Sequence, residues 1–200
     1  MPDPKESLRE YLQLGRDALL WKLDGLGEYD IRRPMVPTGT NLLGVVKHVA
    51  SVEAGYLGDV FGRPFPEEFP WFADDADPNA DMWAPVSESR SDIVDLYHKV
   101  WAHSDATIAE LELDAVGHVP WWSAARAEVT LHQILLHMIA ETHRHAGHAD
   151  LVRELIDGAA GWLPGKENWP DGDQQWWLRY RQMLEDSARS AEESTQSTGR

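Results

Sequence analysis

The reactive side chains of this sequence crowd into one stretch, which holds His132, His137, Glu141, His143, His145 and His148. Glu141 and His145 stand four residues apart. On a helix that spacing brings their β-carbons to about 6 Å on one face. A carboxylate and an imidazole so placed can meet on one divalent ion about 2 Å from each. A third ligand has to come from a neighbouring element, and His48, on the flank of an apolar run, is the candidate. Three protein ligands leave one coordination position open, which is the catalytic rather than the structural arrangement. A plainer reading fits the same residues: Glu141 and His145 as an interior ion pair, since a buried glutamate needs a cation beside it, and His48 as a satisfied helix histidine. The chain has no cysteine, so thiolate ligands, disulfides and cysteine nucleophiles are excluded.

The element that must present these residues is a helix from Thr130 to about Asp157, with Gly158 as its stop. Successive residues about 100° apart put Leu131, Ile134, Leu135, Met138, Ile139, Thr142 and Ala149 in one apolar stripe. Glu141 and His145 fall within or at the margin of that stripe. His143 falls on the solvent side, His132 lies off the stripe, and His137 and His148 lie at its edge. His148, one turn from His145, is the candidate proton shuttle or alternate ligand. Three further helices follow from the same periodicity, over about Ser7–Leu26, Thr38 or Thr40 to Phe61, and Ser89–Leu113. Asp30–Gly39 reads as a loop. Gly62–Pro85 carries Pro64, Pro66, Pro70, Pro78 and Pro85, and a loop of that length is usually functional. Its Phe65, Phe69, Trp71, Phe72 and Trp83 need an apolar surface to pack on. Asp173 to Ser187 predicts a short C-terminal helix with Trp176, Trp177 and Tyr180. No strand-like alternation persists. The fold expected is all-α, an antiparallel four-helix bundle in one domain over residues 1–186, followed by a disordered tail over 187–200.

The chain has 200 residues and a net charge of −16. Charge of that sign repels phosphate backbones and anionic lipid, which argues against nucleic-acid and membrane-surface partners. Nowhere do about 18 apolar residues run together, and the first residues, MPDPKESLRE, are too polar for a signal peptide. The expectation is a cytoplasmic protein. No glycine-rich phosphate loop, no G-x-S-x-G elbow and no H-E-x-x-H pair is present, which leaves metal chemistry of another kind.

Three stretches resemble the DinB-like superfamily of four-helix-bundle metalloproteins, which includes the mycothiol-dependent maleylpyruvate isomerases and the bacillithiol S-transferases. They are G-T-N-L-L-G-V-V-K-H-V-A-S-V-E around His48, E-T-H-R-H-A-G-H-A-D-L-V-R-E-L-I-D-G on the last bundle helix, and W-P-D-G-D-Q-Q-W-W-L-R-Y near the C-terminus. Many members hold a metal with one histidine on the second helix and H-x-x-x-H on the last. Here the pair is E-x-x-x-H, similar to the His/Glu/His set of the mycothiol-dependent branch. The resemblance implies His48, Glu141 and His145 as ligands of a divalent metal, zinc first, with nickel, iron and manganese as alternatives. It also implies a low-molecular-weight thiol such as mycothiol as cofactor, a small electrophile as substrate, and a homodimer. A thiol S-transferase or isomerase is the leading expectation. A non-catalytic binder of metal or small ligands and a metal-dependent hydrolase are the alternatives. Lys47, Arg126, Arg144 and Arg153 are the basic residues available for an anionic cofactor.

Overall fold

The computed structural model describes residues 3–167 and 169–198, which fall into two units, 1–166 and 167–200. In the first unit, Asp3 caps α1 (Pro4–Trp21) by accepting from the Lys5 N–H, with Pro4 pre-set for the first turn. The segment expected to be a loop over Asp30–Gly39 opens inside a short helix, α2 (Glu28–Arg32), whose one buried side chain is Ile31. Asn41 caps α3 (Leu42–Leu57). A capping box of Ser89 and Asp92 starts α4 (Arg90–Glu110). Thr130 caps α5 (Leu131–Asp157), and Gly158 ends it in the left-handed conformation at φ 81°. Between α4 and α5 lies a ribbon that periodicity missed, β1 (Val116–His118) antiparallel to β2 (Glu128–Thr130). Three residues per strand are too few for alternation to register.

The bundle is all-α as expected, built from α1, α3, α4 and α5, and its directions are more specific than a simple up-and-down order. Lys47 near the start of α3 reaches Glu88 just before α4, while Gly58 past the end of α3 meets His103 late in α4. Those two helices therefore run parallel. Likewise Tyr11 meets His143 and Lys22 meets Asp150, so α1 and α5 run parallel. The two pairs run antiparallel to each other. A parallel pair of consecutive helices needs a connection as long as the helix itself, about 24 Å for 16 residues. That requirement explains the length of the proline-rich segment.

Apolar residues form two clusters. One holds Leu19, Leu43, Val46, Val49 and Val100, and the other Leu12, Leu57, Ile108, Leu135 and Met138. Arg16 lies between Leu12 and Leu19 on the inner face of α1, and its side chain and that of Glu53 are both 0% exposed. Arg16 donates to both Glu53 oxygens, at 3.2 and 2.5 Å, and to Asp105 at 2.9 Å. Burial opposes the charge on Arg16, but Glu53 and Asp105 outweigh it and raise its pKa. The ion pair thus fixes α1, α3 and α4 in one register.

The crossover is fastened to α3 rather than left free. Buried Lys47 donates to the carbonyls of Ala80 and Trp83 at 2.8 and 3.1 Å and pairs with Glu88 at 2.7 Å, its ammonium 4.1 Å from the Trp71 ring centroid. Trp71 Nε1 donates to Ser51, and Asn41 donates to the Met82 carbonyl. Gly44 is required below that carbonyl, because a β-carbon there would collide with it. No helix among the described residues is long and apolar enough to cross a membrane.

In the second unit, α6 (Gln174–Thr198) begins at Asp173, whose carboxylate accepts from the Trp176 N–H at 2.7 Å. The helix continues through the positions expected to form a tail, so the expected boundary at 186 meets uninterrupted helix. Good helix formers such as Ala188, Ala191, Glu192 and Glu193 and the i,i+4 pair of Glu185 with Arg189 at 2.9 Å account for the extension. The last two positions of the expected tail, 199 and 200, lie outside the described residues.

Replacing Lys47 by methionine removes the ammonium while keeping the stem. The three loop acceptors then lose their shared donor, at a cost of about 2–3 kcal/mol. Lys47→Met should make residues 62–89 the first site of proteolysis while the helical signal persists, read by limited digestion with mass spectrometry. Digestion that spares this segment until global unfolding would show that the clamp is unnecessary.

Candidate metal centre

Helices α3 and α5 cross antiparallel, so His48 faces His145 with ring centroids 4.8 Å apart, and two turns on Tyr56 faces His137 at 4.6 Å. Glu141 lies between the two histidines on α5. One ligand atom from each of His48, Glu141 and His145 lies within 4.8 Å of the others, a span that side-chain rotation closes onto one ion at bond lengths of about 2 Å. His145 is buried, with Nε2 3.0 Å from Glu141 Oε1, while His48 and Glu141 are half-buried.

Each group has a physical reason for its state. Asp81, from the fastened crossover, lies 2.6 Å from His48 Nδ1. A carboxylate can only accept, so Nδ1 carries the hydrogen and, in the neutral ring, Nε2 keeps its lone pair. This is the carboxylate–histidine pairing that orients metal ligands. Burial, then the charges of His48 and Arg144, push the His145 pKa down to about 4. The imidazole is therefore neutral at neutral pH, the state in which it can serve as a ligand. Burial opposes the charge of Glu141, but the hydrogen bond from Arg144 and the nearby His145 outweigh it and lower its pKa, keeping it ionised. The donor set is thus one carboxylate and imidazole nitrogens, which suits zinc and other borderline divalent ions.

That set already attracts a cation from the chain itself. Arg144 holds both Glu141 oxygens, at 2.6 and 3.1 Å, and one of its terminal nitrogens lies 2.9 Å from His145 Nε2. The guanidinium spans two of the three donor atoms, so they fit a positive charge, and an ion has to displace it. Arg144 is exposed and can swing away.

The site opens on a cavity of about 490 Å³ lined by His48, Val52, Tyr56, Phe69, Phe72, Trp121, His137 and Glu141, among others. Burial lowers the pKa of His137. His148 is exposed, its ring 5.4 Å from that of His145. His132 is also exposed. His143 is half-buried instead of facing solvent, its Nε2 3.1 Å from the Tyr11 carbonyl, because α1 packs over that side of α5. Of the basic residues considered for an anionic cofactor, Arg144 alone touches the donor set. Lys47 is consumed by the crossover, Arg153 binds Asp157 and the carbonyls of Lys22 and Asp24, and Arg126 lies 5.3 Å from the Trp122 ring centroid.

Asp81, Tyr56 and the competing role of Arg144 were not evident from the sequence. His137 had a signal, since 137, 141 and 145 repeat every four residues on one face. Arg144→Gln should tighten zinc binding by about tenfold in competition with a fluorescent chelator, the equivalent of one charge-assisted hydrogen bond no longer in the way. His143→Ala should leave it unchanged. Unchanged or weaker binding by Arg144→Gln would show that the guanidinium does not compete.

Comparison with known proteins adds two findings. The mycothiol-S-transferase family model matches residues 7–158. The fold is similar to the crystal structure of a conserved protein from Enterococcus faecalis, with a TM-score of 0.58 at 15% identity, covering 80% of this chain and 100% of that one. No curated protein matches the chain.

Proposed function

This chain belongs to the mycothiol-S-transferase family, a DinB-like family, and on that premise we propose that it is a divalent-metal-dependent transferase joining a mycothiol-type thiol to a small electrophile. The observation that carries the reading is the donor set of His48, Glu141 and His145 at the edge of an aromatic cavity. These three residues are the ligands, with zinc first and nickel, iron or manganese as alternatives. A divalent ion held there supplies a Lewis acid that makes a thiol ionise near neutral pH.

The chain's own residues do the rest. Asp81 takes the Nδ1 hydrogen of His48, which leaves Nε2 as the nitrogen with a lone pair for an ion shared with Glu141 and His145. Glu141 brings a negative charge, which moderates the acidity the site confers compared with three neutral imidazoles. The thiol proton has two histidine outlets, His137 on the cavity wall and exposed His148 edge-on to His145. Phe69, Phe72 and Trp121 give the electrophile an apolar surface to lie on. Low-molecular-weight thiols are kept reduced in the cytosol, so this reading places the protein in the cytoplasm. The homodimer that the resemblance implies belongs to the same reading.

The test is thioether formation between mycothiol and a fluorogenic alkyl halide, with zinc-loaded protein. His48→Ala should lower the enzymatic rate by about 100-fold or more, the scale of removing a metal ligand or its orienting partner. Rates equal to the variant's, or ester cleavage that proceeds without thiol, would overturn the reading.

A further inference from the structure

Tyr56 is a phenol with both lone pairs occupied. Trp121 Nε1 and Trp122 Nε1, from consecutive residues of the segment between β1 and β2, donate to its oxygen at 3.1 and 2.9 Å. A phenol oxygen has two acceptor sites and one proton. With the sites filled, the hydrogen bond that remains to Tyr56 is one it donates, and among the described residues its hydroxyl donates none. The residue is 8% exposed, and it is one of the residues lining the cavity beside the donor set. A buried donor left without an acceptor is costly, so this wall is built for a ligand that brings one.

The rest of the cavity says what kind of ligand. Val52, Phe69, Phe72 and Trp121 make its surface apolar. Gly55 forms part of the wall, and the Trp121 ring lies over it, 3.4 Å from where a β-carbon would stand in ordinary contact. Tyr56 lies two turns along α3 from His48, about 12 Å in helix rise. An acceptor bound at Tyr56 is therefore at the far end of the molecule from the donor set. We propose that this cavity binds the electrophile, that the electrophile is a flat apolar molecule carrying a carbonyl-type acceptor, and that the Tyr56 hydroxyl donates to that acceptor and orients the ligand. The inference deepens the transferase reading and rests on it for the ligand's being a substrate, but binding itself needs neither thiol nor metal.

The probes are acetophenone and ethylbenzene, similar in shape and different in the carbonyl, titrated into metal-free, thiol-free protein by calorimetry. Acetophenone should bind about tenfold more weakly to Tyr56→Phe than to the wild type, the effect of one hydrogen bond. Ethylbenzene should bind both alike. Equal affinities of acetophenone for the two proteins, or equal losses for both probes, would overturn the proposal. Since Tyr56→Phe also deprives two indoles of their acceptor, a wild-type measurement stands beside it. The infrared carbonyl stretch of bound acetophenone should lie below its value in an alkane, and an unshifted band would overturn the proposal without any variant. Failure here alongside intact thiol transfer removes Tyr56 and leaves the metal centre. Success here with no thiol transfer leaves a ligand site and removes the transferase.

Discussion

The ammonium of Lys47 is 1% exposed, and a charge so deeply placed must be met by acceptors. Its partners are not on helix α3, where Ser51 accepts from Trp71 and Glu53 from Arg16. They come from the crossover: two backbone carbonyls and Glu88, with the face of Trp71 beside them. This cation, with the Trp71–Ser51 and Asn41–Met82 hydrogen bonds, holds the long proline-rich segment along α3. Next to Lys47 in the chain is His48, and within the segment so fastened is Asp81, which sets the His48 ring. The orientation of a candidate ligand is thus a consequence of where a buried lysine finds its hydrogen bonds.

Helix α3 is the shared element of the molecule. One side joins α4 in a parallel pair, another crosses α5 where the histidines meet, and Glu53 reaches inward to Arg16 of α1. A parallel pair demands a long return, and here the return does more than connect. Its Phe69 and Phe72 line the cavity, while the much shorter segment between β1 and β2 adds Trp121 to the lining and Trp122 behind it as a donor to Tyr56. Topology therefore explains why two stretches outside the bundle helices supply the aromatic wall. The polar groups stay on the helices, where backbone geometry holds them to register.

Much of this was legible in the residues. The bundle helices announce themselves by apolar spacing at three and four. Glu141 and His145 are paired by their i,i+4 separation alone, and the same arithmetic places His137 on their face. What spacing could not reach are contacts set by packing between distant segments. Asp81 is 33 residues from His48 and lies in a stretch with no period. The parallel course of α3 and α4 leaves no mark on either helix, only on the length between them. His143 looked solvent-facing because a helical wheel knows the core stripe but not that α1 covers its flank. Lys47 looked like a pocket cation because nothing in its neighbours reveals that the crossover would claim it.

We propose that His48, Glu141 and His145 together hold one divalent ion. Elemental analysis by mass spectrometry tests it most directly, on tag-free protein loaded with zinc and desalted, beside a His145→Ala variant treated identically. A shared site should give about one zinc per chain in the wild type and essentially none in the variant. Equal zinc in both proteins, or none in the wild type, would contradict it and leave Glu141 and His145 as an interior pair served by Arg144.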